Sequence, residues 1–144
     1  GSVILVDIDH FKKINHKYGY RAGDVILSQV AKVIMEHAGP KDIIGRYGGE
    51  EFVWLMPETN QAKAKGIAEK MHAALTGFPL ILPNNSPVKI AASIGVASFS
   101  AGRGAYVAPS LDKWIASADE ALHQAMKGGG NKVVIYAPME EAGG

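Results

Sequence analysis

Two adjacent glycines set between apolar runs constrain this chain more than any other feature. Ile43-Ile44 lead into Arg46-Tyr47-Gly48-Gly49-Glu50-Glu51-Phe52, and Val53-Trp54-Leu55-Met56 follow. Apolar, Gly-Gly, apolar predicts a tight β-hairpin, with strands over about 43–47 and 51–56, because a two-residue primed turn needs positive φ at its centre. Glu50 and Glu51 then fall just beyond the tip. Neighbouring strand residues face opposite ways, so the two carboxylates are expected to have different roles.

A second acidic pair, Asp7-Ile8-Asp9, ends the apolar run Val3-Ile4-Leu5-Val6. Two acidic strand ends in one small domain suit divalent-metal phosphoryl transfer. The chain has 144 residues, enough for one domain with one core, expected over 1–137 with a flexible tail at 138–144. A net charge of +1 gives no electrostatic case for a DNA or RNA duplex or a membrane surface as partner. The absence of cysteine excludes disulfides, zinc thiolates and cysteine nucleophiles, and fits a reducing compartment. No apolar run approaches a membrane span and no signal peptide is evident, so a cytoplasmic location is expected. Gly1-Ser2 reads as a cloning remnant, in which case the natural protein extends upstream and its membrane anchoring stays open.

Periodicity predicts the remaining elements. A buried strand covers 2–7, a short helix 9–18 with Asp9 as N-cap, and a longer helix 24–38 with Leu27, Val30 and Ile34 on one face. A third helix covers 61–75, and Leu80-Ile81-Leu82 form a short extra strand. Val88–Phe99 alternates as one strand. Val88, Ile90, Ala92, Ile94 and Val96 share one face, and the small residues Ala91, Ser93, Gly95 and Ala97 invite close packing on the other. A loop over 101–109, a helix over 111–127 burying Trp114, Ala118, Leu122 and Ala125, and a closing strand at 133–136 complete an α+β order. None of the histidines shows metal-ligand spacing; His16, His37, His72 and His123 read as surface or packed residues.

These motifs taken together resemble a known family. Asp7-Ile8-Asp9-His10-Phe11-Lys12-Lys13-Ile14-Asn15, Gly23-Asp24, Arg46–Phe52, Ser93-Ile94-Gly95-Val96, Ala118-Asp119-Glu120-Ala121-Leu122, Gly129 and Asn131 are similar, in order and spacing, to the GGDEF domain of diguanylate cyclases. The resemblance implies a nucleotide-cyclase or polymerase-palm fold: a ferredoxin-like, mostly antiparallel central sheet of about five strands surrounded by helices. It implies condensation of two GTP into cyclic di-GMP by a homodimer under an upstream regulatory domain, with Mg²⁺ or Mn²⁺. By resemblance, Asp7, Glu50 and the Ile8 carbonyl are metal ligands. Asn15 and Asp24 read guanine. Phe11, Lys12, Gly48 and Gly49 lie along the phosphates. Glu51 either polarises the attacking hydroxyl or is a ladder residue pointing away. From the residues alone, Asp24 is as well a cap of the second helix and Asn15 the end of the first, and Asp9 is a cap before it is a ligand.

Four positions depart from the family pattern. The phosphate-contacting lysine and arginine expected at the end of the last helix align with Met126 and Gly130. Lys127 is one residue off, a rotation of about 100°, and stands in only if the helix unwinds early; Lys12, Lys13 and Lys132 are the other candidates. The product-inhibition pattern Arg-x-x-Asp keeps Asp42 but carries Gly39 in place of its arginine, so ordinary feedback inhibition is expected to be absent. Tyr20 replaces a commonly seen histidine. Two readings follow: a diguanylate cyclase, or a degenerate domain that binds GTP or cyclic di-GMP without turnover.

Overall fold

The computed structural model describes residues 1–99 and 110–137. Its elements run β1 (Ser2–Ile8), α1 (Phe11–Tyr18), α2 (Tyr20–His37), β2 (Ile43–Arg46), β3 (Glu51–Met56), α3 (Gln61–Thr76), β4 (Leu80–Ile81), β5 (Pro87–Val88), β6 (Ala92–Ser98), α4 (Leu111–Lys127) and β7 (Val133–Ile135). The expected loop at 101–109 and tail at 138–144 fall outside the described residues.

Five strands form one sheet in the order β2-β3-β1-β6-β7. Every neighbouring pair is antiparallel except β6–β7, which is parallel. β3 lies between β1 and β2, and β1 lies between β3 and β6, the ferredoxin-like arrangement of a split sheet backed by helices. The expected α+β class and mostly antiparallel five-stranded sheet are therefore observed.

Alternation along β1 explains the layers. Ile4, Val6 and Ile8 join Ile26, Val30, Ile34, Met71 and Leu75 of α2 and α3 in the larger core. Val3 and Leu5 face the other way and pack with Ala118 and Leu122 of α4. The small face of β6 is filled as expected. A Cβ on Gly95 would collide with the Ala118 carbonyl oxygen and the Leu122 backbone, so only glycine lets α4 approach so closely. No helix among the described residues is long and apolar enough to cross a membrane.

Four boundaries differ from expectation. The expected strand 88–99 is interrupted: Pro87–Val88 pair with Leu80–Ile81 in a separate hairpin, and β6 begins at Ala92. The apolar face nevertheless stays intact, because Val88, Ile90, Ala92, Ile94 and Val96 all enter the larger core. α2 begins at Tyr20, not Asp24, with Gly23 inside it. Asp9 does not cap α1; His10 holds that position in the left-handed region (φ 56°) with no side-chain cap. The hairpin turn is also longer than two residues, since the Tyr47 N–H donates to the Glu51 carbonyl at 2.7 Å. Gly48, Gly49 and Glu50 thus form a three-residue loop in which Gly48 alone has positive φ (89°).

Candidate active site

The ends of β1 and the β2–β3 hairpin converge because the ladder pairs them. Asp7 lies opposite Glu51 on β3 and opposite Ser93 on β6. The Ile8 N–H reaches the Glu50 carbonyl at 3.4 Å, which draws the hairpin loop onto the end of β1. Arg46 steadies the loop by donating from Nη2 to the Gly49 carbonyl at 2.6 Å. Glu50 therefore sits in the turn, and Glu51 is the first rung of the ladder.

Asp7 is 4 % exposed. Burial pushes its carboxyl up to about 8, and the carboxyls of Glu51, which hydrogen-bonds it, Glu50 and Asp9 push the same way. Asp9 is committed elsewhere. It accepts from Ser93 Oγ at 2.7 Å and from the Asn131 N–H at 2.7 Å, tying the end of β1 to β6 and to the turn after α4. This tie accounts for Asp9 without a cap or a ligand role, and the 122-residue separation from Asn131 leaves no trace of it in the sequence.

Two clefts flank this point. The larger, about 680 Å³, is lined by Phe11, Lys12, Asn15, Tyr20, Asp24 and Glu50, among others. The smaller, about 330 Å³, is lined by Asp7, Ile8, Lys13, Glu50, Met126 and Gly130, among others. Phe11, Lys12 and Glu50 line both, so the two join into one groove.

In the larger cleft, α1 and α2 meet through Asn15 and Gly23. A Cβ on Gly23 would collide with Asn15 Oδ1. The glycine that reads as a helix breaker is thus a close-contact residue. Asn15 Oδ1 is buried and has no hydrogen-bond partner among the described residues. A buried acceptor left without a partner costs about 1–3 kcal/mol, and Asn15 is among the residues that line this cleft. Asp24 lies in the fifth position of α2, exposed on the same cleft, and its side chain accepts no hydrogen bond among the described residues. The helix-cap explanation for Asp24 therefore fails.

The smaller cleft can accept a cation. No group of three or more His, Cys, Asp or Glu side chains is arranged to hold an ion by itself among the described residues. Magnesium, however, usually takes one or two carboxylates and completes its shell with substrate phosphates and water. Asp7 and Glu50 are hard oxygen donors on one cleft with the Ile8 backbone, and the crowding of carboxyls around Asp7 is relieved by positive charge.

The far wall departs from expectation. α4 stays helical to Lys127, with the Gly128 N–H bonded to the Gln124 carbonyl at 3.0 Å, so the early unwinding that would swing Lys127 inward does not occur. Lys127 lines neither cleft, and Lys132 Nζ donates to the Gly128 carbonyl. Met126 and Gly130 form this wall. Asp42 is structural, since its Oδ2 accepts from the buried Trp54 indole at 3.0 Å and from the Gly39 N–H at 2.9 Å. Gly48 lines neither cleft, whereas Gly49 lines the larger one.

Residues 1–132 match the family described as diguanylate cyclase, GGDEF domain. The chain belongs to that family. Among similar proteins, Diguanylate cyclase A of Treponema denticola is 33% identical over 134 residues, 93% of this chain and 34% of that protein. The response regulator PleD of Caulobacter vibrioides is 38% identical over 134 residues, 92% of this chain and 28% of that protein. The chain thus spans about a third or less of the curated relatives it matches. The GGDEF domain of DgcB from Caulobacter crescentus, solved in complex with c-di-GMP, superposes with a TM-score of 0.84 at 30% identity, covering 94% of this chain and 77% of that one. The active GGEEF domain of a Vibrio cholerae diguanylate cyclase gives 0.83 at 30% identity, with 95% and 83% covered.

Proposed function

We propose that this GGDEF domain condenses two GTP into cyclic di-GMP with release of two pyrophosphates. The observation that carries the reading is the joined groove. An orphan acceptor and an unengaged carboxylate occupy one half, and Asp7 and Glu50 occupy the other. Asp24 accepts from guanine N1–H and N2–H₂ together, and Asn15 Oδ1 accepts a further N–H. Adenine lacks both of those donors on that edge, so an adenine nucleotide leaves the acceptors desolvated and unpaired.

Phe11 and Lys12, at the junction of the two halves, lie along the phosphates, with Gly49 on the hairpin side. Asp7, Glu50 and the Ile8 carbonyl would hold Mg²⁺ or Mn²⁺, which supplies charge neutralisation to the triphosphate and to the departing pyrophosphate. A ribose 3′-hydroxyl of one GTP attacks the α-phosphate of the other; the new O–P bond replaces the bond to pyrophosphate. Glu51, hydrogen-bonded to Asp7, takes the hydroxyl proton or orients the carboxyl that does. Each protomer holds one GTP, so turnover needs a homodimer, which an upstream domain would control in the cytoplasm. Gly39 leaves the product without an arginine fork, and feedback inhibition through that site is absent.

A second reading has its own support. Met126 and Gly130 put no cation on the far wall of the phosphate half. A domain that binds cyclic di-GMP without turnover needs the guanine half alone. Calorimetric titration with GTP and ATP in Mg²⁺ tests the guanine assignment. GTP is expected to bind at least about tenfold tighter, with the preference lost in Asn15→Ala and Asp24→Ala; equal affinities for both nucleotides overturn it.

A further inference from the structure

The phosphate half has an unusual charge inventory. Three carboxylates, Asp7, Asp9 and Glu50, line it, and Met126 and Gly130 bring no charge from α4 and the turn after it. Lys127 lies outside it and Lys132 is held by the Gly128 carbonyl. The lysines that line it, Lys12 and Lys13, both come from the first turn of α1. Lys12 also lines the larger cleft, at the junction with the purine half. Lys13 lines the smaller cleft and not the larger, as Met126 does. Lys13 is exposed, and its Nζ makes no hydrogen bond or ion pair among the described residues. A triphosphate that enters a carboxylate-lined cleft must find cations beyond the metal, and an ammonium on a flexible stem is a ready point charge for terminal phosphates.

We propose that Lys13 is the triphosphate clamp of this domain: it contacts the terminal phosphates from the α1 side of the cleft, in place of cations on α4. The inference rests on the GTP reading and sharpens it, because it ties Lys13 to the β- and γ-phosphates and not to the base. It also gives a route by which a site with Met126 and Gly130 still distinguishes substrate from product.

The test is calorimetric titration of a non-hydrolysable GTP analogue, GMP and cyclic di-GMP in Mg²⁺. The proteins are the unmodified chain, Lys13→Ala, Met126→Lys and Lys13→Ala/Met126→Lys. Lys13 is exposed, so the variants should fold, and thermal melts verify this. Lys13→Ala is expected to weaken the triphosphate about ten- to a hundredfold, the worth of one charge-assisted contact. GMP and cyclic di-GMP, which lack the terminal phosphates, should change less than about twofold. Adding Met126→Lys to Lys13→Ala should recover most of the loss, since it returns one cation to the same cleft from the opposite wall. Unchanged triphosphate affinity in Lys13→Ala overturns the inference and leaves the GTP reading standing. An equal loss for all three ligands also overturns it, assigning Lys13 to the fold of α1. No binding of any guanine nucleotide by the unmodified chain overturns both.

Discussion

Asp7→Asn should stabilise the metal-free domain and abolish its response to magnesium. The folded carboxyl titrates at about 8 against an ordinary value of 3.8. A raised folded pKa contributes stability that is full below the unfolded value and is lost as pH rises toward the folded value. The metal-free chain therefore weakens between about pH 4 and pH 8. At about 1.36 kcal/mol per pKa unit, the loss has an upper bound on the order of 5 kcal/mol at pH 8 and about 2 kcal/mol at pH 5. Asparagine keeps a donor for Glu51 and carries no charge, so it escapes the loss. If relaxation removes half of the effect, the remaining gain at pH 8 raises Tm by about 8 °C, taking roughly 3–4 °C per kcal/mol for a domain of this size. The assay is differential scanning fluorimetry in EDTA and in Mg²⁺ at pH 5 and 8. Unmodified protein should gain from Mg²⁺ at pH 8; the variant should start higher and gain nothing. A variant that melts lower than the unmodified protein at pH 8 in EDTA, or that responds equally to Mg²⁺, refutes the reasoning.

Asp42→Ala leaves the buried Trp54 indole N–H unpaired and should cost about 2 kcal/mol in urea unfolding, with no loss of GTP affinity; an unchanged midpoint contradicts the structural role given to Asp42. Gly23→Ala adds a Cβ that collides with Asn15 Oδ1. Its gain of about 1 kcal/mol in helix propensity is outweighed by overpacking of about 1–3 kcal/mol and by a purine pocket pushed out of shape, so GTP affinity should fall at least about tenfold in titration. Gly130→Arg should destabilise the domain by about 1 kcal/mol or more in the same urea assay. The position has φ 75°, and a Cβ there meets Asp9 Oδ2 at 2.8 Å. Met126→Lys, on an exposed helical position, should be neutral.

The sheet and its clustered carboxylates are legible in the sequence because alternation and strand ends are local signals. Val3–Val6 leading into Asp7, and the hairpin leading from Glu50, need no knowledge of distant partners. The length of the turn is not legible, because Gly-Gly satisfies both a two-residue turn and the observed three-residue loop. The ladder bond from Tyr47 to Glu51 decides between them. Gly23 reads as punctuation, since a glycine placed for close helix packing looks in sequence like one placed to end a helix. Asp9 looks like a cap because a carboxylate before a helix ordinarily is one; its partners, Ser93 and Asn131, lie 84 and 122 residues away. The uncharged wall at Met126 and Gly130 is legible from the family pattern. That Lys127 does not swing inward follows only from the helical end of α4.

The central claim is that this groove makes cyclic di-GMP. The most direct test is incubation of the protein with GTP and Mg²⁺, followed by chromatography and mass spectrometry. Cyclic di-GMP and pyrophosphate are the expected products, abolished in Glu50→Gln and Asp7→Asn. Intact GTP after incubation, with guanine nucleotides bound tightly, would contradict turnover and establish the domain as a binding module.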